Sequence, residues 1–147
     1  MTLFLLILIS TWVPDETALE VYTVAFSAAY DVDPDEALAV AWIESRHRRN
    51  PTSSHRPQGW SLEHPWRICG VMQVTGGRYG KPHCGLVVGL LWVGVWAGVQ
   101  HMDYWQGRCR RTWACGYHQG NSGCRVDGCG YMDRMKRLAR VRPWEER

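Results

Sequence analysis

The sequence predicts a mainly α, single-domain fold. Three observations carry that expectation. The 147 residues are the usual size of one domain and enough to bury a core. Apolar residues recur at helical spacing between recognisable start and stop signals, and no stretch alternates convincingly with a period of two. Hydrophobic residues make up 46% of the chain, with no long polar tract and no internal repeat, so a packed globule is expected rather than disorder.

The elements follow in order. Residues 1–14 begin with the apolar run Leu3-Phe4-Leu5-Leu6-Ile7-Leu8-Ile9, far too short to span a bilayer as a helix. It lacks the basic start and small-x-small end of an export signal. A degenerate signal, an interfacial anchor with weak membrane association, and a helix packed on the domain all stay open. The domain proper is expected over 15–142. Asp15 to Tyr30 reads as an amphipathic helix with acidic residues in its first turn. Asp33 is a good N-cap, with Pro34 at the first helical position and Glu36 three residues after the cap. That second helix should fray before Asn50-Pro51. Residues 51–65, rich in Ser, Pro, His and Gly, read as a loop. A compact stretch, Cys69 to Val74, leads through Gly-rich turns to residues 86–106, a strongly apolar segment expected to form a buried central helix. Gly107 to Gly130 reads as a Cys/Gly-rich loop region, Tyr131 to Arg142 as a basic closing helix, and 143–147 as a tail.

All six cysteines lie in the second half: Cys69, Cys84, Cys109, Cys115, Cys124 and Cys129. An even count points to disulfides and an oxidising compartment or a virion. Zinc competes, because Cys115 and His118 have C-x-x-H spacing, but there are no paired C-x-x-C knuckles, so disulfides are favoured and no metal or other cofactor is expected. Sequence leaves the pairing open. Net charge is only +3 and the arginines are scattered, which is no nucleic-acid signature. Nine tryptophans and six tyrosines exceed what packing alone needs, and flat aromatic faces suit sugar binding, although plain packing accounts for most of them.

Glu44 stands out on geometry. At about 100° per residue, Ala37, Val40, Ala41 and Glu44 share one narrow stripe of the second helix. A carboxyl group on an apolar stripe is raised in pKa by burial, as a general acid near neutral pH requires. The alternative is an ion pair with Arg46, Arg48 or Arg49, weakened because these sit on other faces or past the helix end.

Ala41-Trp42-Ile43-Glu44-Ser45, then Asn50-Pro51, then Gly70-Val71-Met72-Gln73-Val74 resembles the Glu-Ser, Asn-Pro, Gly-Leu-Met-Gln signature of soluble lytic transglycosylases, glycoside hydrolase family 23 enzymes related to goose-type lysozyme. Ala97-Gly98-Val99 with Met102 is similar to the family's Gly-containing helix. Ala114 to Gly120 resembles its Ala-x-x-Tyr-Asn-x-Gly motif, and Tyr131 with Met135 its closing Tyr-x-x-x-Val. Each motif alone is weak; together, in family order from about residue 33 to 138, they are specific.

The resemblance implies a lysozyme-like domain that cleaves the β-1,4 bond between N-acetylmuramic acid and N-acetylglucosamine in peptidoglycan. Glu44 would be the single catalytic acid and then base, with the substrate's acetamido group replacing a second carboxylate and a 1,6-anhydro ring as product. Met72 and Gln73 would line the cleft, Tyr117 and Tyr131 would orient groups around Glu44, and Ser45 would support the cleft wall. For Met72, core packing explains the residue as well as sugar contact does. His118 stands where the family has Asn, the loop between Asn50 and Gly70 is longer, and Gly94 falls where an Asn often precedes the helical Gly. The implied setting is a monomer acting on glycan strands outside the cytoplasm or from a virion, without nucleic acid. A muramidase using Glu44 with Glu63 or Asp103 to activate water competes, and so does a non-catalytic wall-binding or virion structural protein. A zinc-dependent wall enzyme is the most distant alternative.

Overall fold

The computed structural model describes residues 14–48, 67–76 and 84–146. These form a mainly α structure with one short hairpin, built around a shared apolar core. Helix α1 (Asp15–Tyr30) follows Pro14 and carries Asp15 and Glu16 in its first turn. Its buried residues Ala18, Leu19, Tyr22, Thr23 and Ser27 make one stripe, as expected for a helix facing the core on one side. Helix α2 (Pro34–Ser45) starts as its sequence predicts: Asp33 Oδ1 accepts from the amides of Asp35 (2.8 Å) and Glu36 (3.1 Å). Six consecutive residues, Ala37 to Trp42, are buried, so α2 is an inner helix covered on several faces. It ends before Asn50, where Arg46 takes a left-handed conformation and its amide donates to the Trp42 carbonyl.

Strands β1 (Arg67–Cys69) and β2 (Val74–Gly76) pair antiparallel, with Cys69 opposite Val74. Three-residue strands are too short to show alternation, which is why only a compact stretch is visible in the sequence. The apolar segment then departs from a single helix. It divides into α3 (Cys84–Gly89) and α4 (Leu91–Cys109), with Leu90 extended between them. Gly94 explains how the two stay close: a Cβ there would lie 2.8 Å from the Val87 carbonyl oxygen. Helix α4 is the buried central element, packed most extensively on α1.

The Cys/Gly-rich region is more ordered than a loop. A 3-10 turn (Arg110–Thr112), helix α5 (Trp113–Gln119) and a second 3-10 turn (Gly120–Arg125) occupy most of it. Five consecutive residues, Trp113 to Tyr117, are buried, and disulfides Cys109–Cys124 and Cys115–Cys129 bind the region to itself and to the start of the next helix. Tertiary burial and cross-links here override the glycine content. The third bridge, Cys69–Cys84, ties β1 to α3. Helix α6 (Gly130–Val141) packs on α2 and α5. Beyond it, Trp144 is buried against Trp42 and His47, so the residues read as a tail add to the core. Among the described residues, no helix is long and apolar enough to cross a membrane.

Candidate active site around Glu44

Ala37, Val40 and Ala41 are fully buried, and Glu44, one turn further along the same stripe, emerges half-buried at the end of α2. Helix α6 crosses this end and supplies Tyr131, whose hydroxyl donates to Glu44 Oε1 at 2.7 Å. Burial pushes the Glu44 carboxyl above its ordinary range, opposed by the Tyr131 hydrogen bond and by the charges of His118 and Arg134. Among the described residues no carboxylate acts on Glu44 and no ion pair is formed with it. The arginines that could have paired with it are engaged elsewhere. Arg46 lies over the Trp42 ring, Arg48 Nε donates to the Ser45 carbonyl, and Arg49 falls outside the described residues.

Around this carboxyl group the chain assembles a polar and aromatic wall. His118, exposed at the end of α5, stacks on Tyr131 with ring centroids 4.7 Å apart and planes 16° apart. Tyr117, its neighbour, is buried; its phenol pKa is raised well above the ordinary value, first by burial and then by the Glu44 charge. The Tyr117 hydroxyl donates to the Met72 carbonyl at 2.6 Å, which anchors the hairpin turn beside the site. The Met72 side chain lies in the core: it is 1% exposed and packed against Gly98, where any Cβ would overlap it. Gln73 is half-buried with φ of 49°, a left-handed conformation uncommon for a non-glycine residue. Its amide and its Nε2 both donate to the Gly70 carbonyl at 3.0 Å, so Gln73 closes the turn. Ser45 is buried, its hydroxyl donating to the Ala41 carbonyl at 2.9 Å inside the helix.

Glu44, Tyr131, His118 and Tyr117 therefore converge, Gln73 and Met72 join through the Tyr117 anchor, and Ser45 supports the helix. Asp103 is exposed on α4, whereas Glu63, with the rest of the long loop (Trp60, His64, Trp66) and Asn50-Pro51, lies outside the described residues. Two contributors escaped the sequence reading. Arg134 acts on Glu44, and its spacing three residues after Tyr131 on one helix was the available signal. His101 packs edge-on against Tyr117 at 5.0 Å while its Nε2 accepts from Trp105 Nε1 at 3.1 Å; nothing local in the sequence marked it. Cys115 is joined to Cys129, which takes it out of the C-x-x-H reading with His118.

Chemically, the arrangement offers one carboxyl group biased toward its protonated form, held by a phenol that also stabilises the carboxylate. Such a group can give a proton and take one back. Comparison with protein-family models, with curated proteins and with solved structures finds no match for this chain.

Proposed function

We propose that this protein is a peptidoglycan lytic transglycosylase, with Glu44 as acid and then base. The observation that carries the reading is the half-buried Glu44 carboxyl, raised in pKa and hydrogen-bonded by Tyr131, with no second carboxylate acting on it among the described residues. Motif residues from three stretches support it: Glu44 itself, Tyr131 bonded to it, and Tyr117 with His118, while the turn carrying Met72 and Gln73 is reached through the Tyr117 hydroxyl. Glu44 protonates the glycosidic oxygen as the bond to the muramoyl anomeric carbon breaks. The neighbouring acetamido oxygen supports the developing positive charge. The Glu44 carboxylate then accepts the proton of the muramoyl 6-hydroxyl as that oxygen closes on the anomeric carbon. Proton and charge both return to the starting state. Tyr131 holds the carboxyl in place through both halves, and His118 keeps the Tyr131 ring from turning. The disulfides fit an oxidising setting outside the cytoplasm or in a virion, where glycan strands are the partner.

Mass spectrometry of peptidoglycan digested by the intact protein tests this. Anhydro ends are expected on the muramic acid residues. Reducing ends, heavier by one water, would replace the proposal with the muramidase reading, and undigested glycan would favour a wall-binding protein.

A further inference from the structure

Away from Glu44, one surface depression of about 390 Å³ is lined by Arg108, Asn121, Cys124 and Arg125. Its construction is specific. Arg108 precedes Cys109 and Arg125 follows Cys124, so the Cys109–Cys124 bridge brings two guanidinium-bearing residues together across 17 positions of sequence (125 − 108). Arg108 Nε donates to Asn121 Oδ1 at 2.9 Å, which fixes the plane of the guanidinium and leaves its two terminal amino groups for another acceptor. Arg110 and Arg111 follow in the same knob, and from Tyr104 to Val126 the chain contains no Asp or Glu. Like charges held together by a covalent clamp repel each other and gain nothing in stability from their proximity. The glycoside-cleaving site makes no use of them.

We propose that this depression is an oxyanion site that takes a phosphate group, with Arg108 and Arg125 as a preorganised pair of donors and Asn121 as the residue that orients Arg108. A guanidinium fork matches phosphate oxygens in pairs, and the clamp removes the entropy that would otherwise be lost in bringing two long side chains together. The phosphate is a free anion, a unit of a polyol-phosphate polymer, or a lipid headgroup. All three present the same oxygens. The site stands or falls independently of Glu44.

The test is an NMR titration of the intact, oxidised protein with inorganic phosphate at constant ionic strength, following the backbone amide signals of residues 107–126 in every variant and, in the native protein, also the Nε–Hε signals of Arg108 and Arg125. Saturable shifts of both are expected. The Arg108→Gln/Arg125→Gln pair should abolish them. The Arg108→Lys/Arg125→Lys pair, which keeps the charge but removes the fork, should weaken binding by about tenfold or more. Asn121→Ala should weaken it less while leaving the fold unchanged. Absence of saturation, or lysine variants that bind as well as the native protein, overturns the proposal, since diffuse positive charge would then account for everything. Parallel titrations with glycerol-phosphate oligomers and with phosphatidylglycerol vesicles identify the source: the carrier that binds tighter than inorganic phosphate is the ligand, and equal binding of all three assigns free phosphate.

Discussion

Glu44 illustrates how burial and three neighbours tune a single side chain in opposite directions. Burial favours its neutral form, while the Tyr131 hydroxyl and the positive charges of His118 and Arg134 favour the carboxylate. Glu44→Gln keeps the shape and the acceptor for Tyr131 but cannot cycle a proton. Peptidoglycan cleavage should fall by about 10²–10⁴-fold or more, measured by turbidity loss, with an unchanged circular dichroism spectrum. Because the folded carboxyl holds its proton more tightly than the unfolded one, its ionisation destabilises the fold as pH rises above the ordinary carboxyl range. Glu44→Gln should therefore have a higher Tm than the native protein at pH 7, and the difference should vanish at about pH 3, where the carboxyl is protonated in both states. Tyr131→Phe removes a hydrogen bond that lowers the Glu44 pKa. The alkaline limb of kcat/KM, which reports loss of the acid, should move to higher pH in this variant. A limb that stays in place would mean the 2.7 Å contact does not operate in solution.

At the scale of elements, the site depends on how closely α4 approaches the hairpin turn. Gly98 on α4 meets the Met72 side chain directly, and Met72 in turn presents its carbonyl to Tyr117. Gly98→Ala puts a methyl group where Met72 already lies. Overpacking of this kind typically costs about 1–3 kcal/mol, and urea unfolding should show it as a lower midpoint with an unchanged slope. The displaced turn should also reduce activity further than the stability loss alone accounts for. Equal stability of the alanine variant would mean that the turn shifts freely. The hairpin turn carries its own strain at Gln73, where the left-handed backbone of a non-glycine residue is held by two hydrogen bonds to Gly70.

For the molecule as a whole, the three disulfides each close a short loop, with sequence separations of 15, 15 and 14 for those that start at Cys69, Cys109 and Cys115. Cys69–Cys84 ties the hairpin to α3, Cys109–Cys124 closes the knob after α4, and Cys115–Cys129 joins α5 to the start of α6. The last sits closest in sequence to the residues around Glu44, since Tyr117 and His118 follow Cys115 and Tyr131 follows Cys129. Replacing Cys115 and Cys129 together by serine should cost about 3 kcal/mol of stability for a loop of this length, read from chemical denaturation. Activity should fall more steeply than stability, because the Tyr131–His118 stack loses its covalent brace. A fully active, equally stable double variant would show the bridge to be dispensable.

Much of the fold was legible in the sequence because its signals act over a few residues. The Asp33 cap, the apolar stripe through Glu44, the acidic first turn of α1 and the basic helix after Gly130 each announce themselves locally. Glu44 was legible for the same reason: helix periodicity alone places it on the buried stripe. The partners were not. Tyr131 reaches Glu44 across 87 residues and Tyr117 reaches Met72 across 45, separations over which no local rule constrains approach. The family resemblance named these tyrosines, yet only packing of α6 on α2 decides that one hydroxyl binds the carboxylate and the other binds backbone. The same holds for cysteine pairing, for the break at Leu90, and for the turn of Met72 into the core. By itself, the sequence determined where helices start and which carboxyl group is buried, because those follow from short-range sterics and periodicity. The tertiary structure alone decided what faces that carboxyl group, because long-range contacts depend on how the whole core closes.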